Sequence, residues 1–202
     1  MYVPSHFDET RPEVLDTLMA NHPLATLVTL GARGLEANHI PLAARRTAQG
    51  QLVLEGHVAR ANKLWQQAGQ DFLVVFQGAQ TYVSPAWYVS KKEHGKVVPT
   101  WNYAVVHAQG KLIAHDDTTW LQAFLAGLTQ THEARVGSSW KITDAPDEYI
   151  EQLKKAIVGI EIPVTSILGK WKVSQNRPAT DRIGVKAALE QLDPQSAKLI
   201  QS

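Results

Sequence analysis

Hydrophobic and polar positions along this chain first follow a helical period and then switch to short extended runs. Val14, Leu15, Leu18 and Met19 form one apolar stripe, the spacing of a helix with a single inward face. Pro12 suits its first turn, Thr10 and Glu13 have the spacing of a capping box, and Asn21-His22-Pro23 ends it. Residues 24–30, 35–42, 51–58 and 72–77 then read as strands, broken by Gly31-Ala32-Arg33-Gly34 and Gln49-Gly50. A short helical insert is predicted over 59–68. A lysine-rich segment, 90–96, separates a strand over 81–88, interrupted by Pro85, from a longer one over 97–109. Gly110 turns the chain into 111–115. Asp117 or Thr118 caps a helix with Trp120, Leu121, Phe124, Leu125 and Leu128 on its apolar face. A further helix over 146–157 carries Ile150, Leu153 and Ile157. Residues 160–173 return to strand, and Val185, Leu189 and Leu192 mark a last short helix.

Six to eight short strands in succession, with helices at the margins, predict an α+β fold that is mainly antiparallel β. Its sheet is expected to close, or nearly close, into a barrel. Most connections are too short for the crossover helix that parallel winding needs. With 202 residues, the chain is expected to form a single domain over 1–202, with a helical extension from about 181.

Composition narrows the chemistry. Twenty basic and nineteen acidic side chains leave a net charge of +1, so no global field draws the chain to nucleic acid or membrane. The absence of cysteine excludes disulfides, thiolate zinc sites, iron–sulfur clusters and cysteine nucleophiles. The start lacks the pattern of a signal peptide, and no apolar run approaches the roughly 20 residues of a spanning helix. A soluble cytoplasmic protein without a membrane partner is expected. No phosphate-binding Gly-x-x-x-x-Gly-Lys-Ser/Thr, no dinucleotide fingerprint, no zincin helix and no nucleophile elbow occurs, and no metal site is readable among the scattered histidines.

Polar clusters inside apolar strands remain, and buried polar groups cost free energy unless something bonds them. Asn38 and His39 lie within Glu36-Ala37-Asn38-His39-Ile40-Pro41-Leu42. His57, Arg60 and Asn62 stand where a strand enters a short helix, near backbone N–H groups that favour an anion. Thr100 and Asn102 share one strand face, with Trp101 and Tyr103 on the other. Lys91 and Lys92 lie in the lysine-rich segment, and Lys172, Gln175 and Arg177 in the basic tail Lys170-Trp171-Lys172-Val173-Ser174-Gln175-Asn176-Arg177. Each admits a plain structural role: a bonded core histidine, an ion pair, a packed aromatic, a solubilised hairpin tip, an edge strand guarded by lysines. Together they supply what an anionic, flat aromatic ligand demands: cations for a phosphate, amides for ring edges, and aromatics for ring faces.

Several strings resemble the PaiB family. They are Met-Tyr-Val-Pro-Ser-His-Phe at the start, Asn38-His39-Ile40-Pro41-Leu42, Gly56-His57-Val58-Ala59-Arg60-Ala61-Asn62 and Tyr82-Val83-Ser84-Pro85-Ala86-Trp87-Tyr88. The long run from Lys91 to Tyr103 and the closing Gly169-to-Arg177 run complete the resemblance, which spans almost the whole chain in order. Lys63 departs from it, standing where the family has proline. The resemblance implies a split β-barrel of the pyridoxamine-phosphate-oxidase type with peripheral helices. It also implies FMN as cofactor, held at a homodimer interface, and a role as a negative transcriptional regulator. The thirteen side chains above, from Asn38 to Arg177, become candidate flavin contacts: Arg60 and Asn62, with Lys91 or Lys92, for the phosphate; Asn38, His39, Thr100 and Asn102 for the ribityl chain or ring edge; Trp101 for a ring face. DNA would then be a partner, although no helix-turn-helix is readable. A flavin-dependent oxidoreductase drawing on a nicotinamide donor is the alternative, with no catalytic residue assignable. A haem-binding split barrel is a third.

Overall fold

The computed structural model describes residues 1–32 and 34–200; Arg33, inside the predicted 31–34 turn, lies outside them, as do Gln201 and Ser202. Among the described residues nine strands are present: β1 (Asp8–Glu9), β2 (Leu24–Gly31), β3 (Gly34–Pro41), β4 (Ala43–Arg46), β5 (Leu52–Ala59), β6 (Asp71–Val83), β7 (Thr100–Lys111), β8 (Ile113–His115) and β9 (Ile157–Lys172). Six α-helices accompany them there: α1 (Pro12–Asn21), α2 (Lys91–His94), α3 (Thr118–Arg135), α4 (Asp147–Lys155), α5 (Ala179–Leu192) and α6 (Pro194–Lys198). Short 3-10 turns occupy Lys63–Gln67 and Pro85–Trp87, among others.

The strands form one antiparallel sheet in the order β3–β2–β6–β7–β9–β5–β4, with β1 and β8 each pairing β9. The mainly antiparallel split-barrel architecture with peripheral helices is therefore present, but the sheet is open, not closed. Its path ends at β4, which pairs β5 and presents Arg45 and Arg46, a charged edge of the kind that resists further pairing.

Two compact units divide the chain. Unit 1 comprises Met1–His22, Phe76–His107 and Leu168–Ser202, and unit 2 comprises Pro23–Val75 and Ala108–Ile167. In unit 1, α1 buries Leu15, Leu18 and Met19 of the predicted stripe, and leaves Val14 half-buried. Its predicted capping box does not form. The N-cap is Arg11, because Pro12 is pre-set for the first helical position. Arg11 instead donates its backbone N–H and its Nε to Glu9 Oε1, at 3.0 and 2.9 Å. A second apolar cluster joins Val83 and Tyr88 to Val185, Leu189, Ala197 and Ile200.

Burial in unit 2 alternates along β2 and β3, whereas β5 and β9 each bury three residues in succession, 52–54 and 158–160. Ala25 and Leu27 of β2, Ile40 of β3, Leu52, Leu54 and Val58 of β5, and Ile160 and Ile162 of β9 are buried. β2 and β3 form a hairpin in register from Leu24 opposite Pro41 to Gly31 opposite Gly34. Asp117 caps α3 through the backbone N–H groups of Thr119 and Trp120, both at 3.0 Å.

Several strand assignments change: β1 and β4 are not predicted by the pattern, and the 72–77 run and the start of the 81–88 run join in β6. The run over 81–88 leaves the sheet at Val83, where Ser84 accepts the Ala86 N–H and Pro85 starts a 3-10 turn. Proline removes a ladder donor there. α2 and the approach to β7 follow, so that strand begins at Thr100, later than 97.

Candidate functional site

The candidate side chains fall into two groups, one in each unit. In unit 2, Asn62 is the N-cap of the Lys63–Gln67 turn, its Oδ1 accepting the Leu64 N–H at 3.1 Å. Its Nδ2 donates to Asn38 Oδ1 at 3.1 Å, so two amides, one from β3 and one from the exit of β5, form a pair. His39, one position along β3, points to the exposed side, opposite Thr26. His57 lies half-buried on β5, its ring 6.0 Å from that of Phe124 and tilted edge-on. Burial pushes its pKa down, which favours the neutral imidazole.

Arg60 is held on all sides. Its Nε donates to Lys155 O at 2.7 Å, its Nη1 to Asp116 Oδ2 at 2.9 Å, and its Nη2 to Asp116 Oδ1 at 2.5 Å and Ile157 O at 3.0 Å. This guanidinium therefore serves as a clamp between the strand exit, the turn before α3 and the end of α4. Four of its five N–H donors are used in this way, and its charge is paired with Asp116.

Unit 1 gathers the others at the ends of β7 and β9. Asn102 is buried and donates its Nδ2 to Ser174 Oγ at 2.9 Å. Lys172 Nζ donates to Thr100 Oγ1 and, at 2.8 Å, to Trp101 O. Burial pulls the Lys172 ammonium below its usual range, and the neighbouring positive charges of Lys170 and Arg177 act in the same direction. The Arg177 guanidinium lies 4.9 Å from the centre of the Tyr88 ring. Thr100, Asn102, Lys172, Ser174, Asn176 and Arg177 line a small polar cleft of about 40 Å³. On the opposite face of β7, Trp101 is half exposed, its Nε1 donating to Gln80 Oε1 at 2.6 Å and its ring edge-on to Tyr82.

Two expectations find other employment. Gln175 closes the end of β9 on itself: its side chain accepts the Val173 N–H at 2.7 Å and donates to Trp171 O. Lys91 and Lys92 stand exposed on the single turn of α2, with no salt bridge among the described residues. Ser174 and Asn176 are not singled out by the sequence, although both sit in the basic tail. Ser174 adopts a left-handed backbone, φ 68°, a conformation uncommon for any residue but glycine. A serine carries no signal of that in sequence.

The hydroxyl, amide, ammonium and guanidinium donors of the unit 1 cleft match the chemistry of a flavin nucleotide's phosphate, whereas the Trp101 indole stands on the other face of β7.

Comparison with known proteins gives three kinds of finding. Residues 1–166 match a family described as "Putative FMN-binding domain". The chain is 31% identical over 202 residues to the protease synthase and sporulation protein PAI 2 of Bacillus subtilis, covering 98% of this chain and 93% of that one. An uncharacterised protein of the fungus Emericella nidulans is 35% identical over 237 residues, covering 99% of this chain and 94% of the relative. Among solved structures, the FAD and haem binding protein of Mycobacterium smegmatis superposes with a TM-score of 0.57 at 18% identity, covering 81% of this chain and 72% of that one. The flavocytochrome Anf3 of Azotobacter vinelandii does so with a TM-score of 0.57 at 13% identity, covering 85% and 72%. At these identities the likeness to the two structures concerns the fold.

Proposed function

Because the chain belongs to the FMN-binding domain family, the family resembled by its PaiB-like strings, we propose that it is an FMN-dependent negative regulator of gene expression acting as a homodimer. The observation that carries this reading is the 31% identity to PAI 2 along nearly the full length of both chains. FMN, when bound, supplies electron-transfer chemistry at its ring that no protein side chain offers.

The chain's own residues supply binding and orientation. The Trp101 indole offers a flat apolar face, fixed by its bond to Gln80. Thr100 and Lys172 form a hydroxyl–ammonium pair, and Asn102 is locked by Ser174, so these donors are set before a ligand arrives. Preorganised donors lose little freedom on binding. In unit 2, the Asn38–Asn62 amide pair and the neutral His57 give the strand exit hydrogen-bonding groups without charge. A regulatory response requires that the two redox forms of the flavin favour two arrangements of the dimer unequally, since a ligand indifferent to them shifts nothing.

The test begins with the purified protein. Flavin absorbance, a dimer by light scattering, and a sequence-selective gel shift that weakens steeply with salt and changes on reducing the flavin are the expected results. Sustained NADH or NADPH oxidation by the yellow protein, with no selective DNA retardation, would overturn the regulator and establish the oxidoreductase. A reddish preparation with a Soret band would replace FMN by haem.

A further inference from the structure

We infer that the cleft framed by Thr100, Asn102, Lys172, Ser174 and Arg177 is a binding site for a phosphate-type oxyanion. The inference depends on the flavin reading for one point alone, whether that oxyanion is the cofactor's own phosphate or belongs to a second ligand. The match to the FMN-binding domain family ends at residue 166, so the end of β9 and the turn after it lie outside it.

Charge is the first argument. Lys172 and Arg177 line the same cleft with Lys170 close by, and like charges held together in a partly dehydrated place repel. Asp181 attracts Arg177 electrostatically, but among the described residues no salt bridge joins the two. Asp181 is buried, accepting the Ser90 N–H at 2.9 Å and the Ser90 hydroxyl at 2.7 Å. Glu9 is engaged by Arg11. Among the described residues neither Lys172 nor Arg177 has a salt bridge. An oxyanion would turn this repulsion into charge-assisted hydrogen bonds, which are stronger than neutral ones.

Rigidity is the second. Lys172 Nζ is aimed by Thr100 Oγ1 and Trp101 O, which leaves one of its three N–H donors free. Arg177 is laid against Tyr88. Ser174 holds a left-handed backbone, a strained conformation for a non-glycine residue that gathers at ligand clamps. Size agrees: about 40 Å³ admits a group spanning roughly three water-sized positions. Arg60, by contrast, has four of its five N–H donors in use and its charge paired with Asp116.

The experiment titrates inorganic phosphate into FMN-free full-length protein by calorimetry, and compares FMN with riboflavin for affinity. Lys172→Gln and Arg177→Gln should each weaken phosphate binding about tenfold or more, as loss of a hydrogen bond to a charged group does, while Lys172→Arg restores most of it. If FMN-loaded protein no longer takes phosphate, and Lys172→Gln abolishes the preference for FMN over riboflavin, the oxyanion is the flavin's own. If loaded protein still takes phosphate in a Lys172-dependent way, it belongs to a second ligand. Phosphate binding that is undetectable, or equal in wild type and both glutamine variants, overturns the site. Should Lys172→Gln fail to fold, chemical acetylation of Lys172 in the wild type, followed by mass spectrometry, probes the same cleft. Phosphate must slow it, and an unchanged rate overturns the inference. A protein that binds neither flavin yet keeps Lys172-dependent phosphate binding retires the flavin reading and leaves the site standing.

Discussion

Arg60 and Lys172 carry the same formal charge in opposite surroundings. One is gripped by a carboxylate and two carbonyl groups, while the other bonds a hydroxyl and a carbonyl, without a carboxylate, beside further cations. Nothing in local spacing separates them, because Asp116 lies 56 positions from Arg60 and the Lys155 carbonyl lies 95 away. Gly159 is a second residue whose meaning is tertiary. It sits on β9 opposite both His57 and His115, and an added Cβ would run into the Trp120 ring. That ring cannot easily give way, since it stacks on His115 at 4.3 Å and on Phe124 at 5.1 Å. Gly159→Ala should therefore lower stability by about 1–3 kcal/mol, the usual effect of overpacking. A denaturant midpoint equal to wild type would show that Trp120 moves freely.

At the scale of elements, the tie between the start of α2 and α5 is a single buried carboxylate. Against the opposing effect of burial, the Ser90 N–H and hydroxyl hold Asp181 below the usual carboxylate range. Asp181→Asn removes the charge and should destabilise unit 1 by about 1.5–3 kcal/mol. Hydrogen exchange should then quicken in α5 and around Ser90, and unchanged protection at both would refute the tie. Elements whose identity rests on their own alternation or stripe, such as β2, β3, β5 and α1, are legible from sequence. β4 is not: Ala43-Ala44-Arg45-Arg46 has no β-rich signature and becomes a strand only through its pairing with β5. The 81–88 run shows the converse, β-rich residues overruled by a Ser84–Pro85 turn. Of the candidate site, the residue types are visible in the sequence. Their division between two units, and the cap made by Gln175, depend on contacts distant in sequence or on local backbone geometry.

Across the whole molecule, acid should act in two stages. Burial pushes His57 and His107 down, with the terminal amine adding to the effect at His107. Below the free-histidine pKa of about 6.5 the unfolded chain takes up protons that the folded one resists. Stability from this source is complete above that value and is lost as pH falls toward the depressed folded pKa values. Glu9 and Asp181 are lowered carboxylates, so their contribution is present above about 4 and disappears as pH drops through their folded values. Thermal melts across pH should show both legs, with His107→Gln flattening the upper one; a profile flat between about pH 7 and 5 would refute it. β9 adds a constraint of another kind. Sixteen residues long, it contributes to both units, and near its end Gly169 and Trp171 are buried while Lys170 and Lys172 are not. In a strand of period two, an odd insertion that no bulge takes up turns every later side chain to the other face. One such extra residue after Val164 would send the indole of Trp171 outward and drive Lys172 inward, so length along this strand is as fixed a property as any side chain on it.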